Sequence, residues 1–245
     1  MRTHILATIF LLGTFATTLL CQKQYELDTI KTLNGNIEIS FLGHGSLMFR
    51  FGGKVIYADP VSQFADFAQM PRADLILVTH EHGDHLDSLA IEKCRTEKTA
   101  IFCTEACKSK LRGATVMKNG DALENGKIKI EAVPAYNLVH MRSPGVPFHA
   151  KGVGNGYVLT LGGKRIYIAG DTENIPEMSN LGVIDCAFLP MNLPYTMTPE
   201  MVAEAAKRIK PVILYPYHYG KSDTASLVSL LKDEKGIEIR IRNMQ

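Results

Sequence analysis

The chain has 245 residues, 46% of them hydrophobic and 21% charged, enough to bury a substantial core and too apolar for a disordered protein. Twenty-seven Lys and Arg stand against 25 Asp and Glu, a net charge of +2 with no concentrated basic stripe, so nucleic acid is excluded as an expected partner.

Residues 1–21 read as a signal segment: Arg2 and His4 precede an uncharged run from Ile5 to Leu20, short for a membrane span and the right size for a secretory core. The expectation is an exported, periplasmic protein with no transmembrane helix in the mature chain. A lipid anchor at Cys21 is the variant of that reading, although Leu19 and Leu20 are poor residues before a lipoprotein cleavage site. Residues 30–41, IKTLNGNIEISF, place Asn34-Gly35 between alternating runs and predict a β-hairpin. Residues 46–60, SLMFRFGGKVIYADP, repeat that plan around Gly52-Gly53 and stop at Asp59-Pro60. Leu75 to Val78 is a continuous apolar run suited to a strand covered on both faces, and residues 86–98 predict a helix capped by Asp87.

The second half follows the same grammar. Residues 127–135 and 156–172 predict strands, with Gly162-Gly163 as a hairpin turn. Thr198-Pro199 opens a helix with Met201, Val202, Ala205, Ala206 and Ile209 on one face, and Pro211 stands past its end. Residues 212–220 predict a strand, SDTASLVSLLKDEKG a helix, and residues 237–242 a last strand. Hairpins followed by strand-helix units, occurring twice, predict two packed sheets flanked by helices. Cys94, Cys103, Cys107 and Cys186 lack CxxC spacing and are expected as small buried hydrophobes.

The chemistry concentrates in THEHGDH, residues 79–85. Three of eight histidines, His80, His82 and His85, fall within six positions directly after an apolar strand. Neutral imidazole and carboxylate are good ligands for a borderline divalent metal, and a turn leaving a strand can aim alternate residues at one point. His80 and His82 share one face of an extended segment and can grip one ion. Asp84 and His85, past the turn, can hold a second, with Gly83 supplying flexibility. A loop of solvated histidines is the plain alternative, disfavoured because ionisable groups at a buried strand end are costly without a metal. Neither HExxH nor calcium-loop spacing is present.

His80-Glu81-His82-Gly83-Asp84-His85 resembles the HxHxDH motif of the metallo-β-lactamase superfamily, and the resemblance extends over nearly the whole chain after residue 21. Gly170-Asp171-Thr172 is similar to the family's GDT segment, which implies Asp171 as the ligand bridging two metals, and Tyr217-His218-Tyr219 implies His218 as the final histidine ligand. Leu42-Gly43-His44 and Tyr57-Ala58-Asp59-Pro60 resemble the branch containing ascorbate-6-phosphate lactonase and N-acylphosphatidylethanolamine phospholipase D. The family needs one more histidine before Asp171, and His140 and His149 are available. His149 is preferred: it lies 22 residues before Asp171 in FHAKGVGNGYV, which is similar to uncharacterised members with PAYN upstream. Asp59 is expected to orient a ligating imidazole rather than bind metal. Asn137 is a candidate substrate contact, and His44 either a substrate contact or a tight-turn residue. Tyr215, Tyr217 and Tyr219 alternate with His218 and are expected as core.

The resemblance implies an α+β fold, the four-layer αββα sandwich, with residues 22–245 forming a single metallo-hydrolase domain. Two divalent ions carry four positive charges, of which Asp84 and Asp171 cancel two and a bridging hydroxide a third. That residue of charge favours hydrolysis of an ester, lactone or phosphodiester in an anionic small molecule, with Asp84 helping to move the proton. Zinc is the expected metal, and manganese and iron accept the same donors. The alternatives are a β-lactamase-like amide hydrolase, an iron-dependent redox protein, and a non-catalytic metal-binding protein.

Overall fold

A computed structural model describes residues 24–244, so the expected signal segment, residues 1–21 with Cys21, lies outside the described residues. The first sheet is built in chain order from β1 (Glu26–Thr32), β2 (Gly35–Gly43), β3 (Ser46–Phe51), β4 (Lys54–Ala58), β5 (Leu75–Leu77), β6 (Ala100–Cys103) and β7 (Thr115–Val116). Helix α1 (Ser88–Cys94) and the single turn α2 (Glu105–Lys108) lie between its later strands. The first four strands form an antiparallel meander and β4 to β7 run parallel.

The second sheet repeats this plan. It contains β8 (Ala122–Asn125), β9 (Ile128–Ala135), β12 (Gly154–Leu161), β13 (Lys164–Ile168), β14 (Cys186–Pro190), β15 (Ile213–Tyr217) and β16 (Glu238–Ile239), with β8, β9, β12 and β13 antiparallel and β13 to β16 parallel. A separate hairpin, β10 (Met141–Ser143) with β11 (Val146–Pro147), stands between β9 and β12. Helices α3 (Pro199–Ile209) and α4 (Thr224–Leu230) follow β14 and β15.

One core cluster joins Ile37, Ile39, Phe49 and Ile56 of the first sheet to Leu159, Ile166 and Phe188 of the second and continues to Val202, Ala206 and Leu227 of α3 and α4. A second packs Met48, Tyr57, Ile76 and Val78 under Ala90, Ile91 and Cys107 of α1 and α2. The layers are therefore helix, sheet, sheet, helix: an α+β sandwich. Central parallel strands β5, β14 and β15 are buried at every residue, as strands covered on both faces must be.

Local chemistry explains most boundaries. Gly52-Gly53 and Gly162-Gly163 are two-residue hairpin turns with both φ angles positive, a conformation that favours glycine. The first hairpin turns one residue earlier than expected: Thr32 pairs with Gly35, so Leu33-Asn34 is the loop and Gly35 takes the positive φ of 116° after it. Asp87 caps α1, accepting from the N–H groups of Leu89 and Ala90, but the helix ends at Cys94, short of the expected Lys98. Helix α4 is also shorter than its expected stretch. The last strand is a correction as well. Only Glu238 and Ile239 pair with β15; Arg240 N–H still donates to Leu214 O at 2.9 Å, while the Arg240 and Arg242 side chains meet the Asp28 carboxylate on β1. Cys94, Cys103, Cys107 and Cys186 are buried and unpaired. Tyr215, Tyr217 and Tyr219 are core residues. Among the described residues no helix is long and apolar enough to cross a membrane.

Candidate metal centre

Parallel neighbours bring strand C-terminal ends to one edge, and six connections there carry the chemistry. Asp59 follows β4, the 79–85 segment follows β5, Asp171 follows β13 and His218 follows β15, while His44 sits in the turn between β2 and β3. His149 arrives from the β10–β11 hairpin just before β12. His44, Asp59 and His218 adopt left-handed backbone with φ of 53°, 45° and 48°. Such strain costs of order 1 kcal/mol or more per residue and concentrates where a side chain must be aimed. The strained turns brace each other, His218 N–H donating to His44 O at 3.0 Å.

Asp171 lies in the middle. Its Oδ2 is 3.3 Å from His149 Nε2, 3.4 Å from His218 Nε2 and 3.8 Å from His80 Nε2, and its Oδ1 is 3.3 Å from His85 Nε2. Three groups each offer ligand atoms within 4.8 Å of one another: His80, His82 and His149; His80, His85 and Asp171; and His44, Asp84, His85 and His218. The buried atoms His80 Nε2, His85 Nε2, His218 Nε2 and Asp171 Oδ1 make no hydrogen bond among the described residues. Convergent buried lone pairs on imidazole and carboxylate fit divalent cations.

Asp59 sets the ring orientations. It is fully buried; its Oδ1 accepts the Thr79 N–H at 2.8 Å, while its Oδ2 accepts the Thr79 hydroxyl at 2.6 Å and lies 2.8 Å from His85 Nδ1. An ionised carboxylate only accepts, so His85 Nδ1 carries the hydrogen and Nε2 faces Asp171. With its hydrogen on Asp59, the Thr79 hydroxyl accepts from His80 Nδ1 at 3.0 Å, which turns His80 Nε2 inward too. Gly45 makes room: a Cβ there would stand 2.7 Å from His85 Cε1.

The electrostatics are those of a centre poised for cations. Burial, with His85 beside it, pushes the His80 imidazole well below its ordinary value, and burial pushes His149 down to about 4 despite Asp171 nearby. Burial opposes charge on His85, but Asp171 and Asp59 outweigh it and hold that imidazole well above its ordinary value. Burial would raise Asp171 and Asp84. The histidines facing each hold both carboxyls well below the usual range, His218 and His85 for Asp171, His218 and His44 for Asp84.

The structure places His149 in this cluster, its Nε2 also 3.2 Å from His82 Nδ1, and places His140 outside it, with Nδ1 2.7 Å from Glu173 Oε1. His44 stands against the cluster, Nε2 3.0 Å from Asp84 Oδ2 and its ring centroid 3.6 Å from that of His218. Asn137 corrects an expectation. Rather than facing a substrate it is buried, its Oδ1 2.7 Å from His149 Nδ1 and its Nδ2 donating to Glu173 Oε1 and Tyr195 O. Gly83 is a second correction: its φ lies outside the positive range and an added Cβ would meet nothing within 4 Å, so the turn does not need glycine. Thr79, Gly45 and Glu173 were not singled out from sequence. Thr79 begins the motif itself, and Glu173 lies two residues past Asp171. Beside the centre, Leu138, Val139, Met141 and Val146 of the 138–148 flap, with Leu193 and Tyr195, leave large apolar side chains exposed.

The sequence profile of the β-lactamase superfamily domain matches residues 38–218. The chain belongs to the metallo-β-lactamase superfamily. Within it, curated relatives are UPF0173 metal-dependent hydrolases. That of Pelotomaculum thermopropionicum is 30% identical over 220 residues, covering 84% of this chain and 96% of the relative. That of Thermus thermophilus is 33% identical over 218 residues, covering 82% and 94%. A crystal structure of a proposed metal-dependent hydrolase from Parabacteroides distasonis is 48% identical, covers 91% of this chain and all of that one, and superposes with a TM-score of 0.86. Igni18, a metallo hydrolase from Ignicoccus hospitalis, shares 21% identity with a TM-score of 0.70 and bears on the fold alone. This metallo-β-lactamase-fold chain is thus one of the metal-dependent hydrolases.

Proposed function

We propose that His80, His82 and His149 hold one divalent cation and Asp84, His85 and His218 a second, with Asp171 between them. The reaction is hydrolysis of an ester, lactone or phosphodiester bond in an anionic small molecule. The observation that carries this reading is Asp171, buried, with four imidazole nitrogens within 3.8 Å of its carboxylate. Zinc suits the donor set best, and manganese or iron would be accepted by it. Bound there, such ions acidify water towards neutrality and polarise a carbonyl or phosphoryl oxygen.

The chain's own residues supply positioning and proton traffic. Asp59 and Thr79 lock the rings of His85 and His80. Asp84 Oδ2, 3.0 Å from His44 Nε2 and 3.7 Å from His218 Nε2, is placed to take a proton, and the partly exposed His44 to pass it to solvent. Two dications against Asp84 and Asp171 leave a positive centre, which supports anionic substrates. The exposed side chains of the flap support a substrate that also carries an apolar portion. Residues 1–21 support export, and mass spectrometry of the native protein tests this: cleavage near Cys21 is expected, and retention of residues 1–20 would contradict it.

The test is elemental analysis of purified protein followed by a panel of lactones, phosphodiesters, esters and β-lactams, with Asp171→Asn as control. Two equivalents of metal and turnover lost in the control are expected. Full metal occupancy with no turnover across the panel would favour a non-catalytic binder.

A further inference from the structure

We infer that Glu173 is a positioning residue: through the Asn137 amide it fixes which ring nitrogen of His149 carries a hydrogen, and therefore which one is free to bind a cation. The inference rests on His149 being a metal ligand, as proposed above.

Glu173 is completely buried, and among the described residues no Lys or Arg pairs with it. Five donors converge on it instead. Oε2 accepts the backbone N–H groups of Leu138 and Val139, each at 2.7 Å. Oε1 accepts the His140 N–H at 2.7 Å and the Asn137 Nδ2 at 3.0 Å, and lies 2.7 Å from His140 Nδ1. The carboxylate thus clamps the start of the flap and one end of the Asn137 side chain together.

The orientation of that amide then follows from its partners. Glu173 Oε1 and Tyr195 O can only accept, so the end facing them is the NH2 group, with both hydrogens used. The backbone N–H of His149 can only donate, so the end it meets at 2.8 Å is the oxygen. His149 Nδ1, 2.7 Å from that same oxygen, must donate to it. The hydrogen of neutral His149 is therefore on Nδ1, and Nε2, 3.3 Å from Asp171 Oδ2, keeps its lone pair. Every hydrogen-bonding position of the amide is filled, and the amide holds the correct way round because a carboxylate stands behind it. A glutamine at 173 would set its own NH2 against a cluster of donors and permit Asn137 to turn, presenting NH2 to His149 and moving the ring hydrogen to Nε2.

The test begins with the unaltered full-length protein, stripped of metal and labelled with 15N at histidine. Ring-nitrogen NMR near neutral pH is expected to show His149, assigned by His149→Gln, in the Nδ1–H form. An Nε2–H form overturns the proposal. Zinc affinity is then measured by competition with a chromophoric chelator for the wild type, Glu173→Gln, Asn137→Ala and the double variant. Loss of such an outer partner costs about 10- to 100-fold in affinity, so Glu173→Gln alone is expected to fall in that range. In the Asn137→Ala background the same change should cost less than about twofold, since the two act as one unit. An equal loss in both backgrounds would mean that Glu173 merely shapes the flap, and would overturn the relay. A chain with the Nδ1–H form that binds no zinc even as wild type would refute the ligand reading and leave the relay standing.

Discussion

Gly45→Ala offers a sharp test of how His85 is held. The added methyl would lie 2.7 Å from His85 Cε1 and 3.0 Å from Nδ1, while ordinary contact begins at 3.4 Å, so the ring must retreat. The shortfall at Cε1 is about 0.7 Å, a large displacement in a close-packed interior. The ring cannot move freely, being fully buried, tied to Asp59 at 2.8 Å and stacked 5.1 Å from His218. Retreat by that amount directly away from Asp59 would lengthen the contact from 2.8 Å to about 3.5 Å, the limit of a hydrogen bond. Loss of one buried charge-assisted hydrogen bond is worth about 1.5–3 kcal/mol, or about 10- to 150-fold in affinity for the cation proposed at His85. The assay is zinc titration of metal-free protein, read as stoichiometry and affinity. One tight equivalent and a second weakened by that factor are expected. Gly83→Ala, inside the histidine motif but facing open space, is the control and should bind as wild type. If Gly45→Ala binds two equivalents with unchanged affinity, the proposed locking of His85 by Asp59 is wrong.

Metal binding should also release protons. Burial opposes charge on His85, but Asp171 and Asp59 outweigh it and favour the protonated ring in the absence of metal, whereas a ligand needs a free lone pair. Calorimetry in buffers of different ionisation enthalpy should therefore show proton release at pH 7 and affinity rising with pH; no release would contradict this. His44→Gln should retain both equivalents of metal yet lower kcat/KM about 10- to 150-fold, the worth of one hydrogen bond to a charged group; loss of metal would instead make His44 a ligand. Asp28→Asn should destabilise the fold without touching the centre, because Asp28 takes hydrogen bonds from Arg242, Arg240 and Tyr215. At about 1.5–3 kcal/mol and about 2–4 °C per kcal/mol for a chain of this size, the Tm should fall by about 3–12 °C. Burial would raise Asp28, but those partners hold it below its ordinary 3.8, so its contribution is fully present above that pH and is lost as pH falls through the lower folded value. The gap between variant and wild type should be flat near neutrality and shrink in acid; a gap that persists in acid would mean the lost stability is not electrostatic.

What was legible in the sequence was whatever local periodicity or a dense motif encodes. The glycine-pair turns, the wholly apolar parallel strands and the Asp87 cap could be read because each depends on neighbours in the chain. The histidine motif is dense enough to read for the same reason, whereas the preference for His149 over His140 rests on a resemblance, and the geometry that bears on it, His149 Nε2 beside His82 and His140 Nδ1 on Glu173, depends on the fold. What stayed hidden depends on distant partners. Residues 240–242 read as a strand, and nothing local announces that the side chains of Arg240 and Arg242 meet Asp28, more than two hundred residues away. Asn137 looked like a substrate contact because nothing local announces that both ends of its amide are taken. Glu173 has the composition of a surface residue, and only the fold folds the flap's N–H groups around it. Gly83 and Gly45 make the point together: the one inside the motif is dispensable, and the one forty residues from His85 is where space runs out.

The most direct test of the central claim is anomalous X-ray scattering from crystals grown with zinc and measured on both sides of its absorption edge. The account predicts two peaks about 3.5–4 Å apart, one within bonding distance of His80, His82 and His149, the other of Asp84, His85 and His218, with Asp171 touching both. A single peak, or metal found away from Asp171, would contradict it.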